Sequence, residues 1–124
     1  MATPSDTVLV YGLTRCDTCV KARKWLDAQG IAHTFIDYRD HPVDADTLRA
    51  WAGKVGGWEK LVNRASTTWR GLSDADKATA DEAGWIALIA AHPTLVRRPV
   101  LVTPDGQVSV GFKDAAWAAR FAGG

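Results

Sequence analysis

Residues 7–30 have the sequence TVLVYGLTRCDTCVKARKWLDAQG, which predicts a strand, a short polar loop and a helix. A run of apolar residues, 8–11, indicates a buried strand, and Gly12 ends it. Gly30 stands where a left-handed residue is expected after a helix, a conformation that glycine adopts at the lowest cost. Residues at helical spacing form one apolar face of the predicted helix: Cys19, Ala22 and Leu26.

Both cysteines of the chain, Cys16 and Cys19, fall at the junction between this strand and this helix. Their C-x-x-C spacing puts them about one helical turn apart, close enough to form a disulfide. Free N–H groups at a helix N-terminus stabilise an anion, so a thiolate is favoured there, and Arg15, Lys21 or Arg23 add positive charge. Cys16 precedes the helix and is the expected nucleophile, whereas Cys19 lies on the apolar face and is the expected resolving thiol.

Two other interpretations of the cysteine pair are open. The cysteines could be two free thiols that are close by coincidence, although the strand–C-x-x-C–helix context favours redox chemistry. A zinc site would need two further ligands. His33, His41 and His92 are scattered, and the sequence has no second C-x-x-C and no H-x-x-H motif. We therefore expect no metal site and no bound cofactor.

The composition predicts a soluble globular protein with a single domain, residues 1–124. The chain is 47% hydrophobic and 23% charged, with a net charge of +1. No long basic run occurs, so we expect neither nucleic acid nor a membrane as a partner, and we expect a monomer. The N-terminus resembles no secretion signal, and two cysteines without a disulfide framework fit a reducing compartment, which predicts a cytoplasmic protein.

The rest of the chain predicts two further segments. The middle is mostly helical: a helix capped by Asp44 or Asp46, a helical turn at 58–62, a loop at 63–72, a cap at Ser73 and a helix at 82–91. Strands are expected at 32–38, 100–103 and 107–110, with a turn at 104–106 and a last helix at 113–121. The order β-α-β, helical block, β-β-α is that of the thioredoxin fold, with a helical insertion between strands 2 and 3 of a four-stranded mixed sheet.

Four segments resemble the arsenate reductase-like (ArsC/Spx/YffB) family, and most of all its YffB-like branch. They are YGLTRCDTCVKARKWLDAQGI at 11–31, LVNRASTTWRGL at 61–72, HPTLVRRPVLV at 92–102, and Gly111-Phe112. The resemblance implies a thioredoxin-like fold with Cys16 as nucleophile. It also implies that Arg98 points at the thiol and that the Arg98-Pro99 peptide is cis.

The chain departs from arsenate reductases proper, which resemble it around Cys16 and Arg98 but surround the oxyanion with three arginines. Asn63 stands at the position of the middle-loop arginine, with Arg64 one residue on, and Gly111 stands at the position of the last. An arsenate tetrahedron needs several charge-assisted donors. The departures therefore favour a thiol reductase over arsenate reduction.

These residues predict a cytoplasmic thiol-disulfide reductase, and the similarity of the YffB-like branch to glutaredoxins implies glutathione as its co-substrate. The alternatives are an arsenate reductase, or a redox-sensing regulator that binds RNA polymerase, as Spx in the same family does. The expected substrates are glutathione, a small disulfide or a protein disulfide. The expected catalytic residues are Cys16, Cys19 and Arg98, and the expected substrate-binding residues are Arg15, Asn63, Arg64 and Pro99.

Overall fold

The computed structural model describes residues 8–78, 81–104 and 106–122. They form two compact units. The sheet unit consists of the described residues up to Asp37 and from Arg98 onward, and the helical unit spans residues 38–97. The single domain expected for residues 1–124 stays a prediction.

The sheet unit contains the predicted four-stranded mixed sheet. Its central strand pairs in parallel with the second strand and antiparallel with the third, which in turn pairs antiparallel with the fourth. The spatial order is β2-β1-β3-β4. The strands are β1 (Val8–Gly12), β2 (His33–Asp37), β3 (Val100–Val102) and β4 (Val108–Val110).

Each strand lies where the sequence predicts it, and the differences are single residues at the strand ends. The turn between β3 and β4 includes Gly106, whose φ of +86° is the positive value expected there, while Asp105 of the predicted turn lies outside the described residues. Gly30 follows the first helix with a φ of +69°, which confirms its predicted left-handed conformation. The helices, in chain order, are α1 (Asp17–Ala28), α2 (Ala45–Val55), α3 (Trp58–Leu61), α4 (Thr67–Arg70), α5 (Asp74–Lys77), α6 (Glu82–Ala91) and α7 (Asp114–Ala122).

The core of the sheet unit joins β1 and β3 to the apolar faces of α1 and α7. Trp25 of α1 meets Trp117 of α7 edge to face, with ring centroids 6.0 Å apart, and Phe112 contacts both rings. Burial of this apolar surface fixes α1 against the sheet, and α1 carries the two cysteines. The buried cluster consists of Val8, Val10, Ala22, Leu26, Leu101 and Trp117.

Local hydrogen bonds set the helix starts of the helical unit. Asp44, one of the two predicted caps, accepts a hydrogen bond from the Thr47 N–H at 2.8 Å and begins α2. Ser73 accepts one from the Asp76 N–H at 3.1 Å and begins α5, as predicted. Among residues 8–78, 81–104 and 106–122, the helices are all too short or too polar to cross a lipid bilayer.

The prediction of a loop over residues 63–72 is wrong for residues 67–70, which form the short helix α4. The Ser66 hydroxyl accepts a hydrogen bond from the Trp69 N–H at 3.1 Å, and this cap begins the helix. Trp69 then stacks on Trp85 at 6.0 Å between ring centroids. Arg70 donates to the Ala65 carbonyl at 3.1 Å and so braces this segment.

Candidate active site

Cys16 lies where the polypeptide leaves the central strand and enters α1. It is the N-cap residue of α1, with an extended backbone conformation (φ −79°, ψ 125°), and its carbonyl accepts the N–H of Val20 at 2.9 Å. Its own N–H donates to the Leu13 carbonyl at 3.1 Å and closes a tight turn. Cys16 thus lies at the junction of a strand and a helix, as predicted, and the strand is a central one of the sheet; its role as nucleophile stays a prediction.

Hydrogen bonds stabilise the thiolate form of Cys16. Partial burial raises the pKa of this thiol, but four donors outweigh the burial and leave the pKa below its usual value. They are the backbone N–H of Cys19, the Cys19 thiol, the Arg98 guanidinium and the backbone N–H of Thr18. Two of these donors are free N–H groups of the first turn of α1, as the sequence predicts for an anion at a helix N-terminus.

Cys19 has the opposite character. It is completely buried, and this burial, opposed by a hydrogen bond from the Leu13 N–H and reinforced by the neighbouring Cys16, raises the pKa of Cys19 to about 12. It therefore stays protonated at neutral pH and donates its proton to a hydrogen bond with the Cys16 sulfur. Both cysteines are free thiols in this structure.

Gly12 allows Cys19 to pack directly beneath the end of β1. A Cβ atom added at Gly12 would overlap the Cys19 sulfur, and it would touch the Phe35 ring at 3.5 Å. The absence of a side chain here is thus a packing requirement of the cysteine pair.

We expect Gly12→Ala to destabilise the protein by about 1–3 kcal/mol, the usual cost of overpacking a core. Because the Cys19 sulfur must shift, its hydrogen bond to Cys16 should weaken and the pKa of Cys16 should rise. Chemical denaturation and the pH dependence of alkylation measure the two effects. Gly53→Ala is the control, since a Cβ at Gly53 meets nothing within 4 Å. Equal stability of Gly12→Ala and wild type would contradict the packing argument.

The loop between β1 and Cys16 is attached to the neighbouring strand. The backbone N–H and the hydroxyl of Thr14 both donate to Oδ2 of Asp37, at 3.0 and 2.8 Å. Asp37 is the last residue of β2 and lies opposite Gly12 in the parallel pair. Neither Thr14 nor Asp37 was identified from the sequence, since their meeting depends on the register of β1 against β2.

Arg98 and Pro99 immediately precede β3, which is antiparallel to β1 and therefore begins at the end of the sheet where β1 finishes. The Arg98 guanidinium hydrogen-bonds the Cys16 sulfur, and the Arg98-Pro99 peptide is cis, so both expectations are confirmed. The Pro99 carbonyl accepts the N–H of Gly111 at 2.9 Å. Gly111 has a φ of +83°, a conformation that glycine adopts readily because it has no side chain.

The other predicted substrate-binding residues are all polar, and two of them belong to the helical unit. Arg15 is exposed in the loop before Cys16. The Asn63 side chain accepts the Ala65 N–H at 3.1 Å and so turns its own loop. Arg64 is exposed, lies 3.8 Å from the Glu59 carboxylate and has its guanidinium 5.7 Å from the Trp69 ring centroid. The binding role of these residues stays a prediction.

Known proteins share the fold and much of the sequence. A solved structure of a YffB protein is 45% identical to this chain in sequence and has a TM-score of 0.83. The match covers 91% of this chain and 97% of the YffB chain. An arsenate reductase (ArsC) related protein from Brucella melitensis is 43% identical, covers 97% and 98%, and has a TM-score of 0.73. The global transcriptional regulator Spx 1 of Lactococcus lactis is 28% identical over 107 residues, 85% of this chain and 81% of that protein.

The family assignment follows from the extent of the match together with the architecture. Residues 11–120 match the ArsC family, a range that includes both cysteines, Arg98 and Pro99. The mixed sheet, with its helical insertion, has the topology of solved relatives at more than 40% identity. This chain belongs to the ArsC family and has a thioredoxin-like fold.

Proposed function

We propose that this protein is a cytoplasmic thiol-disulfide reductase that uses glutathione, with Cys16 as the attacking sulfur. One observation carries the proposal: hydrogen bonds from the first turn of α1 and from Arg98 lower the pKa of Cys16 and favour its thiolate, while Cys19 beside it keeps its proton. A thiolate is the nucleophile of thiol-disulfide exchange. Membership of the ArsC family, with an arsenate reductase related protein among its relatives, supports redox chemistry at this site.

The reaction that we propose has two exchanges. The Cys16 thiolate attacks the glutathionyl sulfur of a mixed disulfide, a new S–S bond forms, and the substrate thiol leaves as its thiolate. A second glutathione thiolate then attacks the glutathionyl sulfur on Cys16, and glutathione disulfide and the Cys16 thiolate are released. Each disulfide broken is replaced by one formed, so glutathione is the only reductant required.

Cys19 can also resolve the first intermediate, but only after it loses its proton. Burial is the largest cause of its raised pKa and persists when Cys16 is part of a disulfide, so its thiolate is rare at neutral pH. Free glutathione is a small thiol that can reach the exposed side of a mixed disulfide. We therefore assign the main route to external glutathione, and to Cys19 the role of donating a hydrogen bond to the Cys16 thiolate.

Glutathione has two carboxylates and a peptide main chain, and the chain offers partners for each. We propose that Arg15 binds one of the carboxylates and that the backbone flanking Pro99 pairs with the main chain of the tripeptide. Charge-assisted bonds of this kind suit carboxylates. The protein acts on this small ligand as a monomer and needs no bound cofactor.

Arsenate reduction is the weaker alternative on structural grounds. Gly111, next to Pro99, has no side chain and a positive φ, so it supplies no cation. The Asn63 side chain is already bonded to its own loop. A redox-sensing regulator, as the name of the Spx relative suggests, would use the same cysteines but would show no turnover.

The test compares two activities of the full chain and its binding to RNA polymerase. We expect steady turnover of a glutathione mixed disulfide of a small thiol with glutathione as reductant, at a rate that depends on Cys16. We expect arsenate to be reduced far more slowly under the same conditions, and RNA polymerase to be absent from a pull-down. Turnover of arsenate only would assign the protein to the arsenate reductases. Polymerase capture without turnover would assign it to the regulators.

A further inference from the structure

Asp37 occupies a place from which it can control the Cys16 loop. Its backbone is fixed by the parallel ladder between β2 and β1, where it is the partner of Gly12. Its carboxylate accepts both donors of Thr14 on a single oxygen, at 3.0 and 2.8 Å. Thr14 is thereby fixed through its main chain and its side chain together, two residues before the nucleophile.

We propose that Asp37 is a positioning residue for Cys16: by holding Thr14, its carboxylate fixes the loop that presents the Cys16 sulfur to its hydrogen-bond donors. This inference rests on the proposed function in that it takes Cys16 as the nucleophile. Asp37 acts through Thr14 and the loop backbone, so it is a positioning residue and is given no direct part in thiol exchange.

The geometry of the loop explains why its position matters. The sulfur must meet donors that belong to separate elements, the N–H groups of α1 on one side and the Arg98 guanidinium at the start of β3 on the other. The turn closed by Cys16 N–H and the Leu13 carbonyl, at 3.1 Å, sets the local shape of the loop but does not attach it to the sheet. The Thr14–Asp37 pair attaches it to β2. Hydrogen bonds weaken steeply as angle and distance depart from their optima, so a loosened loop stabilises the thiolate less.

The charge of Asp37 predicts the opposite effect from its positioning role. A carboxylate near a thiolate raises the pKa of the thiol, so removal of that charge alone would lower it. Loss of the contact with Thr14 should instead raise the pKa. Arg15 and Asp17 flank Cys16 in the chain, and Arg98 hydrogen-bonds its sulfur. None of them is altered in the variants below, so the sign of the change separates the two roles.

The experiment measures the rate of alkylation of Cys16 by iodoacetamide as a function of pH in the full chain. We expect Asp37→Ala to raise the pKa of Cys16 by about one, which slows alkylation about tenfold at a pH below both values. Thr14→Val removes one of the two donors and should shift the profile in the same direction by less. Thr14→Ser keeps both donors and should restore the wild-type profile. Asp37→Asn keeps an acceptor oxygen but loses the charge, so it should not raise the pKa of Cys16 above that of wild type.

Asp27→Asn is the matched control for loss of one negative charge. Asp27 is exposed near the far end of α1, about 16 Å along the helix from Cys16 at 1.5 Å per residue, and that exceeds the screening length at physiological salt. Its profile should match that of wild type.

Three results would overturn the proposal. A lower pKa in Asp37→Ala, equal to that in Asp37→Asn, would show that Asp37 acts by charge alone. A lower melting temperature with an unchanged profile would show a purely structural contact. If Asp37→Ala does not fold, identical alkylation profiles for Thr14→Val and Thr14→Ser would show that the contact between Thr14 and Asp37 does not position Cys16. Since iodoacetamide reads Cys16 directly, a wild type that alkylates as expected but fails to reduce a mixed disulfide would reject the proposed function and leave this inference intact.

Discussion

Cys16→Ser is expected to reduce thiol reductase activity to the uncatalysed background, whereas Cys19→Ser should retain activity within about tenfold of wild type when glutathione is present. A serine hydroxyl ionises far above the range in which this site can stabilise an anion, so the hydroxyl introduced by Cys16→Ser cannot attack a disulfide. Replacement of Cys19 exchanges one hydrogen-bond donor for another. A single such bond contributes about 1 kcal/mol, and about 1.36 kcal/mol corresponds to tenfold in rate.

The measurement is steady-state turnover of a small glutathione mixed disulfide, with Cys19→Ala as the matched variant. Alanine removes the donor to the Cys16 thiolate, so it should lower activity more than serine does if Cys19 acts through that hydrogen bond. Equal and complete loss in Cys16→Ser and Cys19→Ser would indicate an obligatory dithiol route. Full activity in Cys16→Ser would mean that the nucleophile is wrongly assigned.

The parts of the site that could be predicted are those that depend on neighbours in the sequence. Cys16 at the helix N-terminus and Cys19 on the apolar face follow from a short strand, a polar loop and a helical period, all within residues 7–30. Gly30 follows from the need for a positive φ after the helix. The meeting of Arg98 with Cys16, by contrast, came from the resemblance to a family, because no local pattern relates residues so far apart.

The parts that were missed depend on register or on very short elements. Thr14 meets Asp37 only because β1 and β2 pair with Gly12 opposite Asp37, and a shift by one residue would turn that side chain to the other face. The four-residue helix α4 spans barely more than one turn, so it cannot display a helical period. The feature of the sequence that could have predicted this helix is its cap residue, because Ser66 precedes the helix and accepts the Trp69 N–H.

Replacement of Arg98 is expected to make Cys16 much less reactive at low pH. An opposite charge in contact with an ionisable group shifts its pKa by about one or more, so Arg98→Met should raise the pKa of Cys16 by at least that amount. At a pH below both pKa values the thiolate fraction falls in proportion, and alkylation should slow about tenfold. Arg98→Lys keeps the charge but loses the planar fork, and should give an intermediate profile.

The pH dependence gives this prediction a sign that a damaged fold would not reproduce. As the pH rises above the variant's pKa, both proteins become fully thiolate and the difference in rate should vanish. It should even reverse slightly, because a thiolate of higher pKa is the stronger nucleophile. Arg97→Met removes the same charge from the neighbouring exposed residue and should leave the profile unchanged. If Arg98→Met loses turnover but keeps the wild-type alkylation profile, then Arg98 binds the substrate and does not stabilise the thiolate. A rate that stays low at every pH would instead indicate that the loop carrying Cys16 has moved.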